Sequence, residues 1–176
     1  ASLFEAGTMS NKSILITAGP TQEPIDPVRY LTNRSSGKMG YALAEAAVEA
    51  GAQVTLVSGP VNIEPPARCN LVSVKTAEEM HEAVMHHIKK KDIYIGTAAV
   101  ADYSPTKVEG SKIKKDRSNS PLILEMKENK DILKEVSELE DKPYMVGFAA
   151  ETDDLLENAR KKLETKKLDL IIANDV

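Results

Sequence analysis

Short, largely apolar runs alternate with segments of helical period along most of the chain, and this alternation restricts the possible folds more than any other feature. The runs are Ile14-Leu15-Ile16, Val54-Thr55-Leu56-Val57, Leu71-Val72-Ser73-Val74, Ile93-Tyr94-Ile95, Tyr144-Met145-Val146 and Leu168-Asp169-Leu170-Ile171-Ile172. A strand with one wet face alternates apolar and polar residues. A strand covered on both faces is apolar throughout, and the helices between such strands supply the cover. The expected fold is therefore α/β: a doubly wound, mostly parallel, Rossmann-like sheet with helices on both faces. One helix is expected over residues 41–50, where Ala42, Leu43, Ala46, Ala47 and Ala50 form a stripe that stops at Gly51. Thr76 and Glu79 have capping-box spacing, which starts a second helix at Ala77 and carries it to about Lys90. The last two are expected over 131–139 and 153–166, with Leu155, Leu156, Ala159 and Leu163 forming the buried face of the latter.

A length of 176 residues suffices for one hydrophobic core, so a single domain is expected over 12–176. Residues 1–11 lack any sustained period and read as a linker, a tag or a disordered end. A net charge of −4 gives no global field that would draw the chain onto nucleic acid. The absence of Trp also argues against a base-stacking platform. No apolar run approaches the roughly 20 residues of a membrane span. The lone Cys69 has no intramolecular disulfide partner, and the first residues lack the order of a signal peptide, so a cytoplasmic protein is expected.

Two segments break the alternation. Residues 19–37 carry Pro20, Pro24 and Pro27 and are far longer than an ordinary strand-to-helix loop, a length that belongs to functional or disordered loops. Residues 108–120 are rich in Lys, Gly, Ser and Asp and are expected to be mobile, before Leu122-Ile123-Leu124-Glu125-Met126 resumes as a strand.

A doubly wound sheet binds ligands outside the carboxyl ends of its strands, which directs attention to the loops after each run. Asn33-Arg34-Ser35-Ser36-Gly37-Lys38-Met39-Gly40 opens the first helix, where main-chain N–H groups and serine hydroxyls suit a phosphate. Ser35 or Ser36 acting only as a helix cap is equally compatible with the spacing. Thr32 and Met39 stand where a Walker loop needs glycine and a hydroxyl residue, and Gly19 lacks the close-set glycines of a dinucleotide fingerprint. After the fourth main strand, Gly96-Thr97-Ala98-Ala99-Val100-Ala101-Asp102-Tyr103 has side chains small enough for a flat ligand to approach the backbone, with Asp102 placed for a ribose hydroxyl or a metal-bound phosphate, or simply solvated. Lys112-Ile113-Lys114-Lys115 reads as a solvated charge run or as a lysine delivered to a phosphate by a flexible loop. Phe148 belongs either to the core or against a base. Lys162 and Lys166 share a helix face, which on spacing alone is a solvated face paired with Glu157 and Glu164. His81, His86 and His87 do not converge on a metal site.

The run from Ile14 through Gly19-Pro20-Thr21-Gln22-Glu23-Pro24-Ile25-Asp26-Pro27-Val28-Arg29-Tyr30, followed by Asn33-Arg34-Ser35-Ser36-Gly37-Lys38-Met39-Gly40, closely resembles the bacterial phosphopantothenate-cysteine ligase family. Ala98-Ala99-Val100-Ala101-Asp102-Tyr103, Lys112-Ile113-Lys114-Lys115, Gly147-Phe148-Ala149-Ala150-Glu151-Thr152 and 168–176 extend the resemblance in the family's order. It implies a CTP-dependent ligase of coenzyme A biosynthesis. The carboxylate of 4'-phosphopantothenate attacks the α-phosphorus of CTP to give an acyl-cytidylate and pyrophosphate, and the amine of L-cysteine then displaces CMP. The resemblance assigns Asn33 to the acyl-cytidylate carbonyl and Lys112 to the α-phosphate. It assigns Gly96, Thr97, Ala98, Asp102, Lys112, Phe148, Lys162 and Lys166 to CTP, with Ser35 as the triphosphate contact. Asn129-Lys130-Asp131-Ile132-Leu133 stands where the family commonly has Asn-Pro-Asp-Ile; a main-chain contact survives that change, so Lys130, Asp131, Ile132 and Leu133 are carried over to CTP as well. Mg2+ is expected through the CTP phosphates. The resemblance further implies a homodimer, completed by strands that family members carry beyond Asn174-Asp175-Val176, and in many bacteria fusion behind a flavin-dependent phosphopantothenoylcysteine decarboxylase.

Overall fold

Each apolar run becomes a strand of one sheet, and the computed structural model describes residues 7–115, 121–151 and 154–175. In chain order the elements are β1 (Ser13–Ala18), β2 (Gln22–Pro24), β3 (Tyr30–Thr32), α1 (Lys38–Glu49), β4 (Gln53–Ser58), β5 (Asn70–Ser73) and α2 (Ala77–His87). There follow β6 (Ile93–Gly96), β7 (Tyr103–Pro105), β8 (Met126–Glu128), α3 (Ile132–Ser137), β9 (Tyr144–Glu151), α4 (Leu155–Thr165) and β10 (Leu170–Asp175). Six strands form a wholly parallel sheet in the order β10-β9-β6-β1-β4-β5.

The period of a strand explains the two cores. Successive side chains of β1 point to opposite faces, so Ile14 and Ile16 pack with Tyr41, Ala44 and Val48 under α1. Leu15 faces the other way and joins Met80, Val84, Val136 and Met145 beneath α2 and α3. All three β1 residues are buried, as a strand covered on both faces requires.

Several local expectations are corrected. α1 begins at Lys38 and buries Gly40, Tyr41, Ala44 and Val48, not the alanine stripe: Ala42 and Ala46 are exposed. A helix with small residues on every side offers no contrast from which to read its buried face. α2 stops at His87, where Ile88 closes it. Half of its capping box forms, with Thr76 accepting from the Glu79 N–H at 3.2 Å, while the Glu79 carboxylate reaches one residue further back, to the N–H of Lys75 at 2.6 Å. In α4 Ala159 is buried but Leu156 is exposed; Asp153 lies outside the described residues.

The irregular segments hold more structure than their composition suggests. Residues 19–37 contain the antiparallel pair β2 and β3. Of 122–126 only Met126 is in a strand, because β8 pairs with β7 and leaves Leu122 and Ile123 exposed. Residues 108–115 run without helix or strand, and 116–120 lie outside the described residues. Residues 7–11, expected to be a linker or disordered end, form a turn: Met9 packs on the core under α1, and its N–H donates to Ala50 O at 2.9 Å.

Gly59 follows β4 where the chain crosses the start of the long connection. A Cβ there would lie 1.8 Å from Pro20 O, a backbone atom with no rotamer to escape through. Gly59→Ala is therefore expected to lower the unfolding free energy by about 3 kcal/mol, measured by urea titration.

Candidate functional site

The sheet order reverses at β1: the chain proceeds outward to β4 and β5, then crosses back to place β6 on the other side. Loops leaving β1 and β6 diverge there and open a crevice. A cavity of about 410 Å³ lies at the carboxyl end of β6, with Thr17 of β1 and Tyr94 in its lining. Its lining includes Gly96, Ala98, Asp102, Lys130, Asp131, Ile132, Leu133, Lys162 and Lys166, all picked out in the sequence. These residues come from three separate stretches of chain. Gly96 keeps the slot narrow, since a Cβ there would come to 3.0 Å from Leu133 Cδ2.

The charges around the cavity are unevenly matched. Lys166 is paired with the Asp131 carboxylate. Asp131 also caps α3 by accepting from the Lys134 N–H at 3.0 Å. Burial works against ionisation of Asp131, but Lys166 and the Lys134 N–H together outweigh it and hold the carboxyl below its usual value. Lys130 pairs with Glu78 at 3.3 Å. Lys162 is half-buried and donates at 2.7 Å to a neutral acceptor, the carbonyl of Phe148. A cation so placed gains from an anionic ligand. Burial pushes the Tyr94 phenol far up, so it stays neutral in the cavity lining.

Other candidates sit around the crevice without lining it. Thr97 Oγ1 donates to Thr17 O at 2.6 Å, tying β6 to β1 beneath α1. Phe148 is half-buried and contributes its carbonyl to Lys162. Ser35 Oγ accepts from the Gly37 N–H at 3.3 Å. Gly37, in the left-handed region with φ 75°, precedes α1, and no side chain caps that helix. Asn33 is exposed, and its Nδ2 donates to the carbonyls of Ala99 at 3.4 Å and Val100 at 3.1 Å, against the wall formed by Ala98, Val100 and Ala101. Lys112 is exposed and stands outside the cavity lining.

Two residues that the sequence motifs contain, but to which sequence reasoning gave no role, build the wall. Asn129 Nδ2 donates to Ala101 O at 2.8 Å, its Oδ1 accepts from Ser104 Oγ at 2.8 Å, and its N–H donates to Asp102 O at 2.7 Å. Thr21, wholly buried, accepts from the Ala101 N–H at 3.0 Å. The available signal for Asn129 was a lone amide two residues ahead of a helix-capping Asp131.

An α/β sheet with a polar cleft at its switch point defines a ligand-binding domain of the doubly wound class. Residues 9–176 match the model of the family described as DNA/pantothenate metabolism flavoprotein C-terminal domain, and the chain belongs to that family. It is 54% identical over 174 residues to the coenzyme A biosynthesis bifunctional protein CoaBC of Vibrio vulnificus strain YJ016, covering 98% of this chain and 43% of that protein. Against the CoaBC of Bacillus subtilis strain 168 it is 52% identical over 169 residues, covering 96% and 41%. The chain thus spans less than half the length of these curated relatives. Among solved structures, the C-terminal domain of a CoaBC superposes with a TM-score of 0.85 at 49% identity, covering 95% of this chain and 79% of that one. A Cab2 variant in complex with phosphopantothenate-cysteine shares the fold, with a TM-score of 0.82 at 19% identity over 94% of this chain and 73% of that one.

Proposed function

We propose that this domain joins 4'-phosphopantothenate to L-cysteine at the expense of CTP, through an acyl-cytidylate, giving 4'-phosphopantothenoylcysteine, CMP and pyrophosphate. The observation that carries this reading is the convergence of the Gly96 to Asp102 loop, the 129–133 segment and the α4 lysines on one cavity. The small side chains of the first suit a flat base, while Lys162 and Lys166 suit phosphates. The chemistry needs activation because a carboxylate is a poor acyl donor, whereas its mixed anhydride with a phosphate is a good one. Lys112 is assigned to the α-phosphate in the first step. Asn33 is assigned to the acyl carbonyl in the second, where a neutral amide donor meets growing negative charge. Among the described residues no cluster of three His, Cys, Asp or Glu is gathered for a metal. Mg2+ is read as an ion carried by the triphosphate, with Asp102, Glu128 and Asp131 as the acidic residues of the cavity wall.

The homodimer belongs to the same reading and is supported by exposed Val28, Tyr30 and Leu31 around β3 and Tyr103 on β7. The additional length of the bifunctional relatives is read as the flavin-dependent decarboxylase partner. No helix among the described residues is long and apolar enough to cross a membrane. A cytoplasmic location completes the proposal.

The test is direct. Incubation with CTP, Mg2+, phosphopantothenate and cysteine is expected to release pyrophosphate and CMP in equal amounts, each dependent on phosphopantothenate. Nucleotide binding without turnover would reduce the domain to a binding module. Lys162→Gln is expected to raise the KM for CTP about tenfold and change kcat by less than about threefold, because its charge meets ground and transition states alike.

A further inference from the structure

Asp26 and Arg29, in the turn between β2 and β3, have no task in the reaction outlined above. The Asp26 side chain is wholly buried. Its Oδ1 accepts from the N–H groups of Val28 at 2.8 Å and Arg29 at 2.9 Å, and its Oδ2 accepts from Arg29 Nε at 3.0 Å and Nη2 at 2.6 Å. One more donor reaches Oδ2 from far along the chain: the N–H of Ile113, at 3.1 Å. Arg29 Nη2 in turn donates to the carbonyl of Ile113 at 2.9 Å. One ion pair therefore grips both main-chain groups of a single residue. Toward the start of the same segment, the N–H of Glu109 donates to Ile25 O at 2.9 Å.

The arc 109–113 is thus held at both ends on the turn 25–29, and Lys112 lies inside it, next to the charged hold. A segment without helix or strand has no ladder to set its direction, so these few bonds set it instead. The Arg29 guanidinium beside Asp26 keeps the carboxyl well below the usual carboxylate range, so the hold persists at any assay pH.

We propose that Asp26 is a positioning residue for Lys112: by holding Ile113 directly and through Arg29, it fixes the direction from which the lysine approaches the cleft. The inference rests on the assignment of Lys112 to the first chemical step. Misplacement of a reacting group by about 1 Å costs up to roughly 10²-fold in rate, which is the scale on which a loosened arc would register.

Asp26→Asn keeps the shape and removes the charge that holds Arg29 and Ile113 together. With the full chain, this variant is expected to slow single-turnover pyrophosphate release about tenfold, while the CTP dissociation constant from equilibrium dialysis stays within about twofold. Native-state trypsin cleavage after Lys114 and Lys115 is expected to quicken. Ile113→Pro deletes the donating N–H, leaves Asp26 and Arg29 in place, and is expected to reproduce both effects; it carries the test if Asp26→Asn does not fold. In a Lys112→Gln background, Asp26→Asn should still speed cleavage but no longer slow the reaction. An equal further slowing in that background would overturn the positioning role while leaving Lys112 in the mechanism. A parent rate in Lys112→Gln alone would instead remove Lys112 and, with it, any positioning of it by Asp26.

Discussion

Lys112→Gln is expected to slow pyrophosphate release by about 10²- to 10³-fold while CTP binds with nearly the parent's affinity. The side chain is exposed and has no partner among the described residues, so the fold does not depend on its charge. Its ammonium, assigned to the α-phosphate, gains most as charge shifts there in the transition state, a state that exists only on the way over the barrier. Rapid-quench measurement of pyrophosphate in a single turnover, beside equilibrium dialysis with CTP, separates chemistry from binding. Full activity would remove Lys112 from the mechanism.

Asn33→Asp is expected to divide the two steps. In the parent, Nδ2 donates to the carbonyls of Ala99 and Val100, and an aspartate there replaces that donor with a charge facing the same oxygens. Cysteine attack would then build a second oxyanion beside a carboxylate, whereas carboxylate attack on CTP takes place at the phosphate. Product formation should fall about 10²-fold or more, while pyrophosphate is still released in one equivalent and acyl-cytidylate accumulates on the protein. Chromatography of quenched reactions distinguishes these species. Loss of the pyrophosphate burst, or product at the parent rate, would show that Asn33 is misplaced in the scheme.

The centre of the sheet was legible because β1 and β4 are largely apolar and buried on both faces after their first residue, whereas the edge strand β5 is mostly exposed. The two small hairpins were not: Gln22-Glu23-Pro24 and Tyr103-Ser104-Pro105 are three residues each, end in proline and show no alternation. For the cleft, the topology located the loops and the resemblance singled out residues within them. Lys162 illustrates the difference, since helix spacing alone places it on a solvated face, whereas the fold turns it toward the Phe148 carbonyl. Thr21, Asp26 and Asn129 stand in the quoted motifs but received no role of their own, because each acts through a hydrogen bond to a residue far along the chain. No local pattern records such a bond.

The central place of β1 also bears on how the molecule is made. Its neighbours are β4, which begins at Gln53, and β6, which begins at Ile93, so within this sheet β1 is flanked on both edges by strands that are synthesised after it. Parallel pairing of this kind closes long loops before any contact repays them, which makes assembly slow and places nucleation late in synthesis. Until β6 has emerged, Ile14-Leu15-Ile16 remains an apolar segment with at least one open edge, the kind of surface that holdase chaperones recognise. Protection of β1 in the interval between its own synthesis and that of β6 therefore bears directly on how efficiently the domain folds.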